Sequence, residues 1–316
     1  MTGSFNNIDY RLRPAKHAER TMLCDIFRRL RFCHSEQYQY VGFGSVAFVD
    51  FRMVHRILGV TKMISIEEDC SDIVKDRFDK NKPYDCIKLI FGNSSTVLPQ
   101  IDFTDRNIVW LDYDDAFCRS MVTDAKLVAG KLDSGSFIGV TFANTIPIDA
   151  KGSEKKLGQL KAQFPEFTDS DTKITDFTGG KIAEFARTVF AEELQTALDN
   201  ADSGKPKSSH RKLHQICYFK YRDGASMTTL GWVVVSGSEA EKLNECDLSN
   251  LDFVSLDDVP FSIRVPKITP YETRELEKRL LDETRVSEVE WIPDEERSAF
   301  YDAYRYLPNF GVIESV

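Results

Sequence analysis

The chain has 316 residues, of which 42% are hydrophobic and 29% are charged, a composition typical of a folded globular protein rather than a disordered chain. Its formal net charge of −9 disfavours general binding to nucleic acid, because a phosphate backbone repels an acidic surface. Since no apolar run reaches the roughly 18–20 residues that cross a bilayer, and no signal peptide is recognisable, we expect a cytoplasmic protein without membrane contact.

The first predicted element is an amphipathic helix that opens at Pro14 and carries apolar residues every three or four positions. Basic residues crowd this segment, mostly opposite the apolar stripe, which predicts a solvated basic face: Arg11, Arg13, Lys16, Arg20, Arg28, Arg29 and Arg31. We assign residues 1–37 to this N-terminal basic helix. A second basic cluster predicts a solvated loop: Lys205, Lys207, His210, Arg211 and Lys212.

Segments typical of buried strands then alternate with helical segments. Strands are predicted at 38–42, 62–67, 86–91, 108–111 and 136–142, and helices at 45–58, 71–78 and 116–129. Short apolar strands separated by helices are typical of a parallel sheet that is covered on both faces. The sequence therefore predicts an α/β fold with a Rossmann-like, mostly parallel sheet.

The second half of the chain departs from this alternation. A polar stretch at 147–178 predicts an insertion of the kind that often acts as a lid. A helix at 181–198 and an antiparallel hairpin, with strands at 215–221 and 227–235, complete a main domain that we place at residues 38–236. Residues 237–316 are predicted to form a C-terminal appendage with two helices, packed on the main domain, on a partner protein or on another copy of the chain.

Two features of the first half indicate a nucleoside-cofactor site. The turn formed by Gly42, Phe43, Gly44 and Ser45 follows the first strand, where glycine permits a ligand to approach the backbone. Glu67 closes the second strand about 20 residues later, where a carboxylate can accept hydrogen bonds from both ribose hydroxyls. An ordinary tight turn and a solvated carboxylate are the alternatives for each feature alone, but the two together favour a cofactor site.

The segment from Ile64 to Ile101 resembles catechol O-methyltransferase and its small-molecule O-methyltransferase relatives in the order and spacing of its motifs. These are Ile64-Ser65-Ile66-Glu67, Leu89-Ile90-Phe91-Gly92-Asn93-Ser94-Ser95 and Val97-Leu98-Pro99-Gln100-Ile101. The resemblance covers roughly residues 38–145 and implies a class I methyltransferase that uses S-adenosylmethionine (SAM), a class in which a terminal antiparallel hairpin is expected. It implies ribose binding by Glu67 and adenine contacts from Ser94 and Ser95, in a loop with Gly92 and Asn93.

The resemblance extends to the fourth strand, where Asp112, followed by Tyr113, matches an aspartate that binds magnesium in the family. We include both residues in the predicted cofactor site. After the fifth strand the family has an Asp-Asn pair, whereas this sequence has Ala143 and Asn144. Asp112 and Asn144 are thus the implied magnesium ligands, but magnesium usually needs further oxygen donors. The site would have to recruit Asp114 or Asp115, or work without metal.

Methyl transfer from a sulfonium needs a base only when the acceptor must lose a proton. Asp112, Asp114 and Asp115 are the candidate bases, although Asp114 or Asp115 could instead cap the helix predicted to start at residue 116. The family's catalytic lysine is missing, since Asp115 stands near its position, which disfavours catechol as the substrate.

The sequence therefore predicts a SAM-dependent methyltransferase (EC 2.1.1 class) that methylates an oxygen of a small molecule or of a group carried by a partner. Two alternatives stay open. One is a degenerate methyltransferase that serves as a cofactor-binding sensor or assembly subunit. The other is an RNA or nucleotide methyltransferase that uses the N-terminal arginines and binds in a salt-sensitive way.

Overall fold

A computed structural model describes residues 13–146, 152–178, 180–280 and 287–308. Its strands are β1 (Gln39–Phe43), β2 (Lys62–Glu67), β3 (Ile87–Phe91), β4 (Asn107–Ala116), β5 (Phe137–Ala143), β6 (Arg211–Asp223), β7 (Ala225–Ser236) and β8 (Phe261–Ile263). They form one eight-stranded sheet in the order β3-β2-β1-β4-β5-β7-β6-β8. Strands β1 to β5 are parallel, β7 is antiparallel to β5 and β6, and β8 is parallel to β6.

Helices cover both faces of this sheet. They are α1 (Pro14–Arg29), α2 (Val49–Leu58), α3 (Asp72–Asn81), α4 (Ser94–Val97), α5 (Arg119–Lys131), α6 (Ser153–Gln163), α7 (Lys181–Ala201), α8 (Ala240–Glu245), α9 (Pro270–Glu277) and α10 (Asp294–Ala303). Successive strand residues point to opposite faces of the sheet and contribute to two hydrophobic cores. In β4, Trp110 belongs to the core formed with α1 to α3, and Leu111 belongs to the core formed with α4 to α7. The predicted α/β class with a terminal antiparallel hairpin is confirmed.

Two predicted helix starts are wrong, and both lie just beyond the carboxyl end of a strand. The helix predicted at 45–58 begins at Val49, because residues 44–48 form a turn that ends at Phe48. The helix predicted at 116–129 begins at Arg119, because β4 continues to Ala116.

The extension of β4 changes the interpretation of its acidic end. Beyond a bulge, Ala116 still pairs with Ala143 of β5, so Asp114 and Asp115 lie within the strand. The N-cap residue of α5 is Cys118. The alternative that Asp114 or Asp115 caps a helix is therefore wrong.

The predicted solvated basic surfaces are wrong for three of their members. Lys16 and Arg20 of α1 are 1% and 4% exposed, and Arg211 of β6 is 6% exposed. Each is buried because it pairs with a carboxylate; Arg211 Nη2, for example, lies 2.7 Å from Asp202 Oδ1. Arg11, of the same predicted face, lies outside the described residues.

Both segments predicted as additions to the main domain pack against it. In the insertion, Leu160, Phe164 and Phe177 are buried, and the Phe164 ring stacks on Phe117 at 4.9 Å. Residues 147–151 of the insertion lie outside the description. The C-terminal segment contributes β8, which extends the sheet beside β6. Within the described parts of the chain, no helix combines the length and apolarity needed to cross a membrane.

Candidate active site

The sheet order reverses between β1 and β4, since β2 and β3 lie on one side and β5 on the other. In open α/β sheets, ligands bind outside the carboxyl ends of the strands at such a point. The predicted site residues lie at or just after the carboxyl ends of β1, β2, β3 and β5 and in the carboxyl-terminal half of β4. The fold therefore brings them to one edge of the sheet.

The turn after β1 is shaped by contacts with its neighbouring strands. Gly42 is buried, and a Cβ there would lie 3.1 Å from the Tyr40 hydroxyl oxygen and 3.2 Å from the Trp110 carbonyl oxygen. At Gly44, a Cβ would collide with Oγ of Ser65 in β2. A side chain at Gly42 would thus crowd Tyr40 of β1 and Trp110 of β4, and a side chain at Gly44 would require the Ser65 hydroxyl to move. The predicted cofactor contact would be made by the backbone.

The loop from Gly44 through the half-buried Ser45 ends in an unusual backbone conformation. Phe48 has a φ of 49°, in the left-handed region that non-glycine residues rarely adopt. Its buried ring lies 5.9 Å from the Phe51 ring and 5.7 Å from the Phe78 ring. Aromatic packing therefore holds this loop in a conformation of a kind that often occurs at functional sites.

Glu67 lies beside this turn. The backbone N–H of Gly44 donates to the carbonyl of Ile66 at 3.3 Å, and the Glu67 carboxylate accepts from the backbone N–H of Asp69 at 3.2 Å. Burial raises the pKa of the Glu67 carboxyl above its ordinary value. A carboxylate has further acceptor positions beyond this one hydrogen bond, so Glu67 can accept from ribose hydroxyls.

The loop after β3 is fixed by its own polar groups. The backbone N–H of Gly92 donates to the Glu67 carbonyl at 2.9 Å, which joins this loop to β2. Asn93 Oδ1 accepts from the Ser95 N–H at 3.0 Å and from the Ser95 hydroxyl at 2.7 Å, while its amide donates to Glu68. The loop predicted to bind adenine is therefore preorganised next to Glu67.

Asp124 of α5 is a buried carboxylate that the sequence analysis misses. It is 4% exposed, and its Oδ2 accepts from the Ser94 hydroxyl at 2.5 Å and from the Tyr113 hydroxyl at 2.8 Å. Burial and the Asp124 charge raise the pKa of Tyr113, whose ring meets that of Phe43 at 4.9 Å. Asp124 and Tyr113 together thus join the ends of β1, β3 and β4 into one wall. The sequence pattern that could have revealed it is a carboxylate placed among the apolar residues of the buried face of a helix.

The acidic end of β4 lies next to this wall. Asp112 is 16% exposed, and its Oδ1 lies 2.6 Å from Nζ of Lys16. Asp114 and Asp115 are exposed. Lys16 is a second residue that sequence reasoning misses, because its position opposite the apolar stripe predicts solvent rather than a buried ion pair.

The predicted magnesium ligands have other partners. Asn144 Oδ1 accepts from the Thr228 hydroxyl at 2.6 Å and its amide donates to the Ser226 hydroxyl at 3.2 Å, while Asp112 contacts Lys16. Among the described residues there is no group of three or more His, Cys, Asp or Glu side chains that could hold a metal ion. The residues present therefore do not fit a magnesium site.

Residues 8–315 match a family of methyltransferases described as "Putative O-methyltransferase", and the chain belongs to this family. The predicted class, a methyltransferase of EC 2.1.1 with a Rossmann-like fold, is confirmed, as is the O-methyltransferase assignment. No curated protein sequence matches the chain.

Several solved structures are similar in fold. TomG, an O-methyltransferase of tomaymycin synthesis from Streptomyces achromogenes in complex with SAM, is 14% identical over 73% of this chain and 93% of its own, with a TM-score of 0.38. An O-methyltransferase from Bacillus cereus, in complex with S-adenosylhomocysteine (SAH), is 11% identical over 72% and 84%, with a TM-score of 0.38. Spermidine synthase from Thermotoga maritima is 8% identical over 78% and 68%, with a TM-score of 0.41.

Proposed function

We propose that this chain binds SAM outside the carboxyl ends of β1 to β4 and transfers its methyl group to a hydroxyl of a small molecule. One observation carries the proposal: Glu67, the 92–95 loop and the Tyr113–Asp124 pair form a continuous polar wall that ends beside the partly exposed Asp112. Membership in an O-methyltransferase family supports the reaction, and the position of the wall supports the site.

The wall accounts for the recognition of the nucleoside. Glu67 accepts hydrogen bonds from the ribose hydroxyls, and the Ser94 and Ser95 end of the loop contacts adenine. The rings of Phe43 and Tyr113 add an aromatic surface, and aromatic faces attract cations such as a sulfonium. Bound SAM supplies an activated methyl group, which leaves its sulfur as the acceptor oxygen forms the new carbon–oxygen bond.

Asp112 is the proposed base. An ionised carboxylate can accept the hydroxyl proton, and the 16% exposure of Asp112 leaves it reachable from solvent. Asp114 and Asp115 are exposed at the same strand end and are proposed to help bind the acceptor.

The described part of the insertion, residues 152–178, lies beside the same edge. It packs on the start of α5, where Arg119 Nη2 lies 2.6 Å from Glu166 Oε1. Because α5 follows β4, its first residue is close to the carboxyl end of that strand. We propose that this segment encloses a small acceptor in a cytoplasmic enzyme, and that the C-terminal segment, 237–316, offers a surface for another copy or a partner protein.

Two measurements test the proposal. Calorimetric titration should show micromolar binding of SAM and SAH to the wild-type chain; absence of binding to folded protein would refute it. Labelled SAM, incubated with the chain and a cell extract, should transfer its methyl group to the small-molecule filtrate, and Asp112→Asn should reduce that transfer. Label found in the RNA fraction would favour the nucleotide alternative, and no label in any fraction would favour a degenerate methyltransferase.

A further inference from the structure

Helix α1 places the buried ammonium group of Lys16 beside Asp112 of β4. Nζ of Lys16 lies 2.6 Å from Asp112 Oδ1 and 2.7 Å from Glu19 Oε2, and it donates to the Tyr221 hydroxyl at 3.1 Å. It also lies 4.4 Å from the centre of the Trp110 ring, a favourable position for a cation. Oxygen atoms and an aromatic face thus surround an ammonium that is 1% exposed.

The second carboxylate of this cluster is held by the sheet. Glu19 is fully buried, and its Oε1 accepts from the Thr229 hydroxyl of β7. The Thr229 and Thr141 hydroxyls lie 2.7 Å apart, and Thr141 accepts from the indole N–H of Trp110 at 2.9 Å. Because these partners belong to β4, β5 and β7, the position of Glu19 is fixed by the strands.

The backbone of α1 is anchored as firmly as its side chains. The N–H groups of Ala15 and Lys16 donate to the two carboxylate oxygens of Asp223, at 3.1 and 2.8 Å. Asp223 ends β6 at the hairpin turn, so a side chain distant in sequence caps the first turn of α1. The ammonium is therefore placed by the hairpin and not by a mobile N-terminal helix.

The charges around Lys16 explain what the ammonium does. The Lys16 ammonium lies between two carboxylates, which are the type of ligand that divalent cations prefer. The buried guanidinium of Arg20 adds a second positive charge that interacts with both carboxylates. A metal ion binding between Asp112 and Glu19 would have to displace a buried ammonium that already contacts both.

We propose that Lys16 is the resident cation of this site, taking the position between Asp112 and Glu19 that a divalent metal ion would take, so that methyl transfer needs no metal. Lys16 is then a positioning residue that holds Asp112 in the carboxyl-terminal half of β4. The catalytic part of this inference rests on the proposed function, whereas the exclusion of metal is a property of the free protein and can be tested without SAM.

The test compares Mn²⁺ binding, followed by electron paramagnetic resonance, in the full-length wild type and its variants. We expect no stoichiometric Mn²⁺ in the wild type, one bound Mn²⁺ in Lys16→Gln, and loss of that ion in the double variant Lys16→Gln/Asp112→Asn. Lys16→Arg, which keeps the charge, should bind none. Lys80→Gln is the matched control, because Lys80 is an exposed lysine on α3 that pairs with Asp76.

Wild-type protein that binds one Mn²⁺, lost in Asp112→Asn, would overturn the inference even if Lys16→Gln failed to fold. A folded Lys16→Gln variant without Mn²⁺ would also overturn it, whereas a variant that folds only with Mn²⁺ would support it. Methyl transfer by the wild type should be unchanged by a chelator; transfer that a chelator abolishes and Mg²⁺ restores would overturn the metal-free mechanism. Absence of SAM binding would refute the proposed function and leave the Mn²⁺ result standing.

Discussion

Replacing Glu67 with alanine should weaken SAM binding while leaving the fold intact. Leaving buried polar groups unpaired costs about 1–3 kcal/mol, here the two ribose hydroxyls that the proposal assigns to this carboxylate. That free energy corresponds to an increase of about 5- to 150-fold in the dissociation constant. The fold loses one hydrogen bond, from the Asp69 N–H at 3.2 Å, which is worth about 1 kcal/mol and is offset by removing a desolvated charge.

The raised pKa of Glu67 adds a pH dependence to this prediction. Its usual value is 4.5, and burial raises it, so acidification protonates Glu67 before an ordinary glutamate and should weaken SAM binding. The effect on folding has the opposite sign: a carboxyl with a raised folded-state pKa stabilises the fold below its unfolded pKa and loses that contribution as pH rises through the folded value. Relative to Glu67→Gln, the wild type should therefore gain stability and lose SAM affinity as pH falls.

Calorimetric titration of SAM at stepped pH, paired with urea unfolding under the same conditions, measures both effects. Asp72→Ala is the matched control, because Asp72 is fully exposed in the first turn of α3 and its replacement makes the same charge change. An unchanged dissociation constant in Glu67→Ala would show that Glu67 does not bind ribose, and the proposed placement of ribose would have to be abandoned.

Three further substitutions test contacts within the fold. Gly44→Ala should lower the free energy of unfolding in urea by about 1–3 kcal/mol, because the new Cβ collides with Ser65. Adding Ser65→Ala should recover part of that stability. Equal stability of the single and double variants would contradict this explanation. Asp202→Asn should cost about 3–5 kcal/mol by leaving the buried Arg211 unpaired. Burial alone would raise the pKa of Asp202, but hydrogen bonds from Arg211 and Lys205 lower it to about 2. The difference in unfolding free energy between wild type and Asp202→Asn should therefore shrink as pH falls below 3.8 toward about 2. A difference that does not change with pH would exclude this pairing. Asp223→Ala should cost about 1 kcal/mol in unfolding and reduce amide exchange protection in the first turn of α1; unaltered protection there would rule out the cap.

The sequence was sufficient to predict the parallel strands, the hairpin and the position of the glycine turn that follows β1. The mostly apolar runs 63–66 and 137–142 are buried in the sheet, as a short apolar run predicts for a strand covered on both faces. Glu67 could be placed as well, because its position depends only on where β2 ends. These predictions share one property: each depends on residues that are close together in sequence.

The rest depended on contacts between distant segments. Periodicity assigned Lys16 to solvent, whereas its partner Asp112 lies 96 residues away, and the Ser94 hydroxyl that meets Asp124 comes from 30 residues before it. The strand predicted at 108–111 ends where the apolar run ends, yet β4 continues to Ala116, which still pairs with Ala143 of β5. Strand β8 has only three residues, too few for an alternating pattern to show.

The capping of α1 by the hairpin also constrains the order in which the protein can be completed. Lys16 and Glu19 leave the ribosome early, but Tyr221, Asp223 and Thr229 follow about 200 residues later in synthesis. Until the hairpin docks, burying the Lys16 ammonium would leave polar groups without partners, so the N-terminal helix stays hydrated while β1 to β5 assemble. A nascent chain that stops before β6 consequently lacks Tyr221, Asp223 and Thr229, the groups that hold Lys16 and Glu19 in place.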